Sequence, residues 1–393
     1  MRILFVTPRF PYPLLKGDQV VPYHRLRILS QKHEITLLSM YERDEELAGI
    51  NHLLPYCKEI HTVRLTKPQS MLNVVTRAPF SRLPMQVLYY HSPEFRKCLT
   101  KVLAQGSFDL VHSYLMRLAP ALTDLQVPVV ADLIDSMQLN FARRVTKERP
   151  PKQWIFQEEL RRVTAYERQM CDFFDHLIVV SDLDRDYIPG NVHVIPNGVD
   201  TDHFIAAPHL PVDPVLVFSG NMGYAPNIHA ITWFIEHCFD RIRAEVPGAH
   251  LVVAGANPSK EIQAFATIPG VTVTGFVESM VNTLHKARLA IAPMQTGSGV
   301  QNKILEAMAC ELPVVTTRLG LGSLKAVAER DIVVAEDPTT FADQVIELLK
   351  NATYSKALGR HAREFVLRHH SWDNAADQVE EVYGLVLGGK SLG

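Results

Sequence analysis

Residues 289–317, LAIAPMQTGSGVQNKILEAMACELPVVTT, contain the pattern that decides the fold. A strand-length apolar run ends at Met294, a glycine-rich turn follows, a helix-length run begins near Val300, and a second apolar run, LPVVTT, completes the stretch. Apolar strands that alternate with helices form parallel sheets covered by helices on both faces. The stretch therefore predicts one strand–helix–strand unit of an α/β domain.

The same alternation continues along the 393-residue chain. The first half contains the strand-like runs RILFVTP, EITLLSM, DLVHSY, VPVVADL and HLIVVS, and the second half contains PVLVFSG, HLVVAGA, VTVTGF, LAIAPM, LPVVTT and DIVVAE. Helix-length segments lie at residues 22–32, 154–174, 227–245 and 342–349. Two series of strands and this length predict two doubly wound α/β domains.

The domain boundary is predicted in IPGNVHVIPNGVDTDHF, a stretch rich in Pro, Gly and Asn that separates the two strand series. Residues 1–190 form the predicted first domain and residues 191–371 the second. The amphipathic segment after Ser371 is predicted to be a helix that packs back on the first domain, so residues 372–393 are assigned to that domain.

Composition excludes several classes of protein. The net charge of −2 and the pI of about 6.8 argue against nucleic acid as the main ligand. The scattered cysteines, with no CxxC pair, indicate reduced core residues in a cytoplasmic protein. The N-terminal MRILFVTPRF lacks the features of a signal peptide, and no apolar run is long enough to span a bilayer. Any membrane contact is therefore expected to be peripheral, at the cytoplasmic face of the inner membrane.

The glycine turn and the helix behind it suit an anionic ligand. Glycines allow close approach to the backbone, and the N–H groups of a helix N-terminus favour phosphate. Backbone groups of Ser298, Gly299 and Val300 are candidate phosphate ligands, with Lys303 as an added positive charge. Glu306 lies on the same face of an otherwise apolar helix, where a carboxylate needs donors such as ribose hydroxyls. An i,i+3 salt pair between Lys303 and Glu306 is the alternative, and spacing alone leaves both open.

A dinucleotide-dependent oxidoreductase is a weaker alternative. In GSGVQN, Asn302 stands where the GxGxxG fingerprint has its third glycine. The strand LPVVTT ends without an acidic residue for a ribose, and Arg318 follows, which would suit NADP.

The stretch KILEAMACELPVVTT resembles the signature of family 4 retaining glycosyltransferases, which have the GT-B fold. VIPNGVDTDHF, FDLVHSY, LVVAG, VTVTGFV and Ser371-Trp372 resemble further motifs of this family and span nearly the whole chain. SGNMGYAPNIHAITWF and DLIDS are also similar to the sugar transferases of exosortase (PEP-CTERM) exopolysaccharide systems.

The resemblance implies two Rossmann-like domains that face each other across a cleft. It also implies transfer, with retention, from a nucleotide diphosphate sugar on the second domain to a glycan or lipid-linked acceptor on the first, in exopolysaccharide or cell-surface glycan synthesis. Glu306 matches the family's ribose-binding Glu. Ser298 replaces the family's other Glu, and Asn221 lies in a loop that lacks the usual Arg and Lys, so Lys303 is the expected diphosphate ligand.

In the first domain the resemblance implies that His112, expected at a strand end, contacts the transferred sugar or its diphosphate. Asp135 is expected to face the acceptor, with an N-cap as the alternative. Lys16 and Gly17 correspond to a loop that touches the donor phosphate and the acceptor.

Residues 142–162 are rich in basic side chains, with Trp154 between them. Arg143 and Arg144 are predicted on an acceptor-side surface that meets anionic lipid headgroups or a lipid diphosphate, and a solvated helix face is the alternative. Asp182 and Asp184 are interpreted as residues of a first helical turn, not as metal ligands, and no essential metal or cofactor is expected. Ser298 and the missing cationic pair leave a second function open, a non-catalytic nucleotide-sugar-binding partner of a glycan-assembly complex.

Overall fold

A computed structural model describes residues 1–14, 17–146, 148–174, 176–208, 211–296 and 301–388. The chain forms two compact units, Met1–Asn197 with Trp372–Gly393, and Gly198–Ser371. The first unit therefore extends beyond residue 190, where the sequence boundary was placed, because a short strand after that residue pairs with the first sheet.

The first unit contains a seven-stranded sheet in the order β3-β2-β1-β4-β5-β6-β7, in which every pair is parallel. Its strands are β1 (Arg2–Thr7), β2 (Glu34–Tyr41), β3 (Glu59–Arg64), β4 (Leu110–Tyr114), β5 (Val129–Ile134), β6 (His176–Val179) and β7 (Val192–Val194). All of these strands except β3 and β7 coincide with runs predicted to be strands.

Helices cover both faces of this sheet. They are α1 (Gly17–Leu29), α2 (Lys67–Arg77), α3 (Met85–Tyr89), α4 (Pro93–Gln105), α5 (Met137–Val145), α6 (Lys152–Phe173) and α7 (Asp182–Arg185). Short 3₁₀ segments lie at Asp44–His52 and Met116–Ala121. Serine side chains fix several helix starts; the Ser92 hydroxyl, for example, accepts from the Phe95 amide at 3.1 Å.

The second unit contains a six-stranded parallel sheet in the order β10-β9-β8-β11-β12-β13. Its strands are β8 (Val215–Ser219), β9 (His250–Ala254), β10 (Val271–Gly275), β11 (Leu289–Ala292), β12 (Val314–Thr316) and β13 (Val333–Val334). All six coincide with predicted apolar runs. These strands are mostly buried and form the centre of the unit's core.

The helices of the second unit are α8 (Ala225–Phe234), α9 (Asp240–Glu245), α10 (Lys260–Ala264), α11 (Met280–His285), α12 (Asn302–Ala309), α13 (Arg318–Leu321), α14 (Pro338–Lys350) and α15 (Ala352–His369). A π-helical turn, Ile235–Phe239, joins α8 to α9, so the predicted single helix 227–245 contains a wider turn.

The last helix, α16 (Trp372–Gly388), belongs to the first unit, as predicted. Trp372, Val379 and Tyr383 are buried in one core cluster with Phe5 of β1 and Leu26 of α1. The apolar face of α16 thus closes one side of the first sheet.

In each sheet, the chain adds strands first on one side of the unit's first strand and then on its other side. This switch lies between β1 and β4 in the first unit and between β8 and β11 in the second. Open α/β sheets bind ligands outside the carboxyl ends of the strands at such points. The residues that follow these four strands are therefore the candidate site residues.

Candidate active site

The second-unit switch point contains Lys303. The loop after β8 begins at Gly220, and the connection after β11 leads to α12, which starts at Asn302. Nζ of Lys303 donates a hydrogen bond to Oδ1 of Asn227, on the first turn of α8. The ammonium therefore joins the segments that follow the two strands at the switch.

The surroundings of Lys303 are largely apolar. Its Nζ lies 3.7 Å from the sulfur of Met294 and 4.5 Å from the ring centroid of Phe218. Burial lowers the pKa of Lys303 to about 7, although the Glu306 carboxylate acts in the opposite direction. An arriving anion would favour the protonated form, so this group is poised to gain a full charge when a phosphate binds.

Two glycines permit this geometry. Gly220 has φ +143°, and a Cβ there would lie 2.8 Å from Nδ2 of Asn227 and 3.4 Å from Cε of Lys303. Gly255, which follows β9, has φ +147°, and its Cβ would lie 1.7 Å from the carbonyl oxygen of Gly220. Both positions therefore require glycine for the two backbones and the lysine to lie this close.

Asn221 takes part in the loop through its backbone and its side chain. Its carbonyl oxygen accepts from Nδ2 of Asn227 at 2.9 Å, and its Oδ1 accepts from the Gly223 amide at 2.9 Å. Asn221 thus shapes the turn beside Lys303, while its direct contact with a donor stays a prediction.

Glu306 lies half-buried one turn further along α12. Within the described part of the chain, no hydrogen bond or ion pair to its carboxylate forms, so the alternative salt pair with Lys303 is absent there. Burial raises the pKa of Glu306 to about 7, and Lys303 opposes this shift. A half-buried carboxylate without a protein donor is suited to accept hydroxyl groups of a ligand.

Ser298, Gly299 and Val300 lie outside the described residues, as does Lys16 of the first unit.

The first-unit switch point contains two arginines that the sequence analysis missed. Arg9 follows β1 and Arg117 follows β4, and both face Asp18 of α1, with nitrogen–oxygen distances of 3.0 and 3.7 Å. Gly17 begins α1, and a Cβ at this position would meet nothing within 4 Å. The edge thus has open space beside two cations and one carboxylate.

A polar cavity of about 300 Å³ adjoins this edge. Its lining includes Arg9, Gln19, Glu42, Glu46 and Tyr90. This mixture of charged and hydrogen-bonding groups suits the hydroxyls of a glycan.

His112 does not end its strand, so that part of its prediction is wrong. It is the third of the five residues of β4 and has no exposed surface. Its Nδ1 lies 2.8 Å from the Tyr383 hydroxyl, and its ring stacks on Phe5 at 4.4 Å. Burial lowers its pKa, while the neighbouring Asp132 favours the charged form. A buried ring with these partners positions the sheet and α16, and its predicted contact with the transferred sugar or its diphosphate stays a prediction.

Asp132 is also fully buried, and it forms an ion pair with Arg25 of α1. Nε2 of His112 lies 3.6 Å from the same carboxylate. The apolar run around β5 did not indicate that Asp132 would be paired with Arg25, a contact that the packing of α1 against the sheet reveals.

Asp135 follows β5 and accepts a 2.7 Å hydrogen bond from Nδ2 of Asn140. Burial raises its pKa. The N-cap of α5 is Ser136, whose hydroxyl accepts from the Leu139 amide at 3.2 Å, so the N-cap alternative for Asp135 is wrong. Its contact with an acceptor stays a prediction.

The basic stretch is partly neutralised by internal pairs. The guanidinium of Arg144 lies over the Phe156 ring at 4.0 Å and 3.7 Å from Glu148. Glu158 accepts from Arg161 and Arg162, which lower its pKa to about 2. Arg143 lies in the last turn of α5. These pairs favour the alternative, a solvated helix face, and not a strongly basic surface.

Asp182 and Asp184 lie in the first turn of α7, as interpreted from the sequence. Asp184 accepts from the Ser136 amide at 3.0 Å and from the Ser181 hydroxyl. Over the described ranges, no group of three or more His, Cys, Asp or Glu side chains is arranged to hold a metal ion.

Two family models match this chain. The Glycosyltransferase Family 4 model covers residues 27–203, and the Glycosyl transferases group 1 model covers residues 213–351. The chain is a glycosyltransferase of the family 4 type with the GT-B fold. The enzyme class predicted from the motifs is thereby confirmed, whereas the narrower exosortase-associated subgroup stays a prediction.

Full-length similarity extends this result. An uncharacterized 44.6 kDa protein from the cps region of Klebsiella pneumoniae is 22% identical over 384 residues, which are 94% of this chain and 96% of that protein. Sucrose-phosphate synthase from Thermosynechococcus elongatus superposes with a TM-score of 0.66 at 15% identity, over 99% of both chains. HepE from Anabaena, solved in complex with UDP, has a TM-score of 0.68 at 12% identity and covers 98% of this chain and 100% of its own.

Membrane spans are absent from the helices of the described residues, since none of them has the length and apolar character to cross a bilayer.

Proposed function

We propose that this glycosyltransferase moves a sugar from a nucleotide diphosphate sugar to a glycan or lipid-linked acceptor, with retention, in the synthesis of an exopolysaccharide or another cell-surface glycan. The observation that carries the proposal is Lys303, a half-buried ammonium at the β8/β11 switch point that is held by a hydrogen bond to Asn227. The UDP complex of HepE and the cps-region relative support a nucleotide donor and a polysaccharide product.

The donor would bind with its diphosphate at Lys303 and its ribose on Glu306. As the bond from the anomeric carbon to the diphosphate breaks, negative charge develops on the leaving oxygen. The Lys303 ammonium, fixed by Asn227 in apolar surroundings, stabilises that charge without reorganising. The donor diphosphate would therefore leave the anomeric carbon while it is bound to a preorganised cation.

The acceptor would bind at the β1/β4 switch point, where Arg9, Arg117 and the polar cavity lie. Its hydroxyl would attack the sugar face that the diphosphate leaves, and the hydroxyl proton would pass to the leaving phosphate oxygen. This front-face route gives retention without a covalent enzyme nucleophile. Asp135, with its raised pKa, would hydrogen-bond the acceptor.

A panel of UDP-glucose, GDP-mannose and ADP-glucose tests the donor. A bound donor should raise the melting temperature because ligands that bind only the folded state stabilise it. Addition of a cell-surface glycan extract should then cause release of the nucleotide. EDTA should leave the rate of release unchanged, because Lys303 and not a metal stabilises the charge on the leaving diphosphate. Binding of a donor without any nucleotide release would instead favour the non-catalytic partner, which the cation-free loop Gly220–Gly223 also suits.

The location follows from the same proposal. Nucleotide sugars are cytoplasmic metabolites, so we place the protein in the cytoplasm with peripheral contact at the inner membrane. Fractionation of cells that express the tagged protein would reveal a different location if the protein were exported.

A further inference from the structure

A second cavity of the first unit, of about 630 Å³, lies beside the polar one. It is bounded by α2, α3, α4 and the segment after β4. Apolar side chains dominate its lining, among them Leu83, Val87, Leu88, Phe95, Leu118 and Ala121. A space of this size and polarity suits a hydrocarbon chain better than a sugar.

The inner end of this apolar cavity meets the β1/β4 switch point, where the acceptor would bind. Met40 and Tyr90 line both cavities, and Arg117 lines the apolar one. The Arg117 guanidinium lies 5.1 Å from the Tyr90 ring centroid and 3.7 Å from Asp18. Arg9, in the polar cavity, pairs with the same carboxylate. The two cavities therefore meet where two guanidinium groups share one acidic partner, an arrangement that favours a phosphate.

The other end of the apolar cavity opens beside exposed apolar side chains. Thr76, Arg77 and Phe80 line it, and Phe80 is 92% exposed. On α2, Leu72 and Val75 are 61% and 68% exposed. Residues 65–93 contain Lys67, Arg77 and Arg82 and no acidic residue. An exposed apolar helix face flanked only by cations is typical of segments that lie on anionic membranes.

The segment at this opening is held in place. Arg162 of α6 donates to the carbonyl oxygens of Ala78 at 3.1 Å and Leu83 at 3.3 Å. The position of Phe80 between these two anchors is thus fixed by the fold, and its exposure is a built feature of the surface.

We propose that the acceptor is a phosphate-linked lipid. Its hydrocarbon chain enters from the membrane past Phe80 and lies in the apolar cavity, its phosphate binds Arg117 and Arg9, and its polar head group occupies the polar cavity. The exposed face of α2 rests on the bilayer. This inference rests on the proposed function, and it moves the membrane contact from residues 142–162 to α2.

Farnesyl phosphate and inorganic phosphate are the probes that separate a lipid from a phosphate alone. Saturating farnesyl phosphate should raise the melting temperature by about 5 °C, and inorganic phosphate at the same concentration should raise it far less. Thr76→Trp, which fills the cavity opening, should abolish the effect. Thr100→Trp is the matched control, because both threonines are exposed and donate to the carbonyl oxygen four residues earlier on a helix.

The outcomes separate the two proposals. Equal stabilisation by both probes, or full stabilisation of Thr76→Trp by farnesyl phosphate, would overturn the lipid assignment. UDP should stabilise wild type, Thr76→Trp and Thr100→Trp equally. If UDP did not stabilise wild type, that result would count against the proposed donor site and not against the lipid assignment.

Vesicles of phosphatidylglycerol and phosphatidylcholine (3:7) test the membrane face. We expect wild type to sediment with them and the double variant Leu72→Ser/Val75→Ser to bind at least about tenfold less. Leu54→Ser, at an exposed leucine outside the cavity, is the control. Unchanged binding by the double variant would refute the contact through α2.

Discussion

Lys303 on the first turn of α12 donates a hydrogen bond to the side-chain oxygen of Asn227 on the first turn of α8. The two helices follow the two strands of the second-unit switch point, so this bond fixes an ammonium where α/β sheets bind ligands. Gly220 leaves room for both side chains.

Replacement of Lys303 should slow transfer more than it weakens donor binding. Lys303→Ala removes the charge that stabilises the leaving diphosphate, and we expect a barrier higher by about 2–3 kcal/mol, the scale of one oxyanion donor. Measurement of kcat with saturating donor gives the effect. Lys286→Ala, at an exposed lysine of the same unit, should leave kcat unchanged. A Lys303→Ala enzyme as fast as wild type would remove Lys303 from the mechanism.

Donor affinity should be greatest near neutral pH. Lys303 has a pKa of about 7 in the free protein, so above pH 7 binding must take up a proton and affinity falls as pH rises. Glu306 also has a pKa of about 7, so below pH 7 its carboxyl must lose a proton to accept ribose hydroxyls, and affinity falls as pH drops. Because the two groups interact, the acid and alkaline limbs of the profile of donor affinity against pH belong to the Lys303–Glu306 pair and not to either residue alone.

Calorimetric titration with UDP-glucose between pH 5.5 and 9 measures both limbs, since its diphosphate stays ionised over this range. We expect each limb to approach about tenfold per pH unit. Lys303→Met should lose the alkaline limb, and Glu306→Gln should lose the acid limb. An affinity that does not change with pH would contradict both assignments.

Strands in the second unit were predictable because most of them are largely apolar runs, although Val and Thr alternate in β10. β3 was missed because EIHTVR is an edge strand with only one buried residue, Val63, and its pattern is mixed. β7 was missed because its three residues, Val192–Val194, lie within a Pro- and Gly-rich segment that reads as a linker. Edge position and short length reduce the burial that gives a strand its apolar signal.

The positions of candidate site residues were predictable where the residues lie in one local motif. They were not predictable where residues distant in sequence come together through the pairing of strands. Lys303 and Glu306 share a helix behind a glycine turn, so their common helix face was predictable from spacing, while their roles as ligands stay predictions. Arg9 and Arg117 are distant in sequence and meet because β1 and β4 are neighbours in the sheet. His112 was misplaced at a strand end because the register of β4 depends on its pairing with β1 and β5, which a single segment does not specify.

Ribose recognition by Glu306 can be isolated with a pair of ligands. Wild type should bind UDP more tightly than 2′,3′-dideoxyuridine diphosphate by about 1.5–3 kcal/mol, the range for hydrogen bonds to a charged group. In Glu306→Gln that difference should shrink to well under half. Both ligands keep the diphosphate, so Lys303 contributes equally to each. A difference that persists in the variant would show that another group binds the ribose.

Arg117 should act on the acceptor and not on the donor. Arg117→Gln removes one of the two cations at the β1/β4 edge while Asp18 keeps Arg9 as a partner. We expect the acceptor KM to rise about tenfold or more and the donor Kd to stay within about twofold, since a charge-assisted contact contributes roughly 1.5–3 kcal/mol. Arg161→Gln, at an exposed arginine paired with Glu158, is the control. A parallel loss of donor affinity would place Arg117 at the diphosphate instead.

The Tyr383 hydroxyl should contribute to stability and not to chemistry. Tyr383→Phe leaves Nδ1 of the fully buried His112 without its partner, and an unpaired buried group costs about 1–3 kcal/mol. Hydrogen exchange followed by mass spectrometry should therefore show faster exchange in peptides from β4 and α16. Tyr354→Phe is the matched control, because its hydroxyl bonds to Glu329 at the surface of the second unit. We expect kcat of Tyr383→Phe to stay within about twofold of wild type at a temperature where the variant is folded. If kcat instead fell by orders of magnitude while exchange in β4 stayed unchanged, His112 would contact the substrate, and its placement as a buried positioning residue would be wrong.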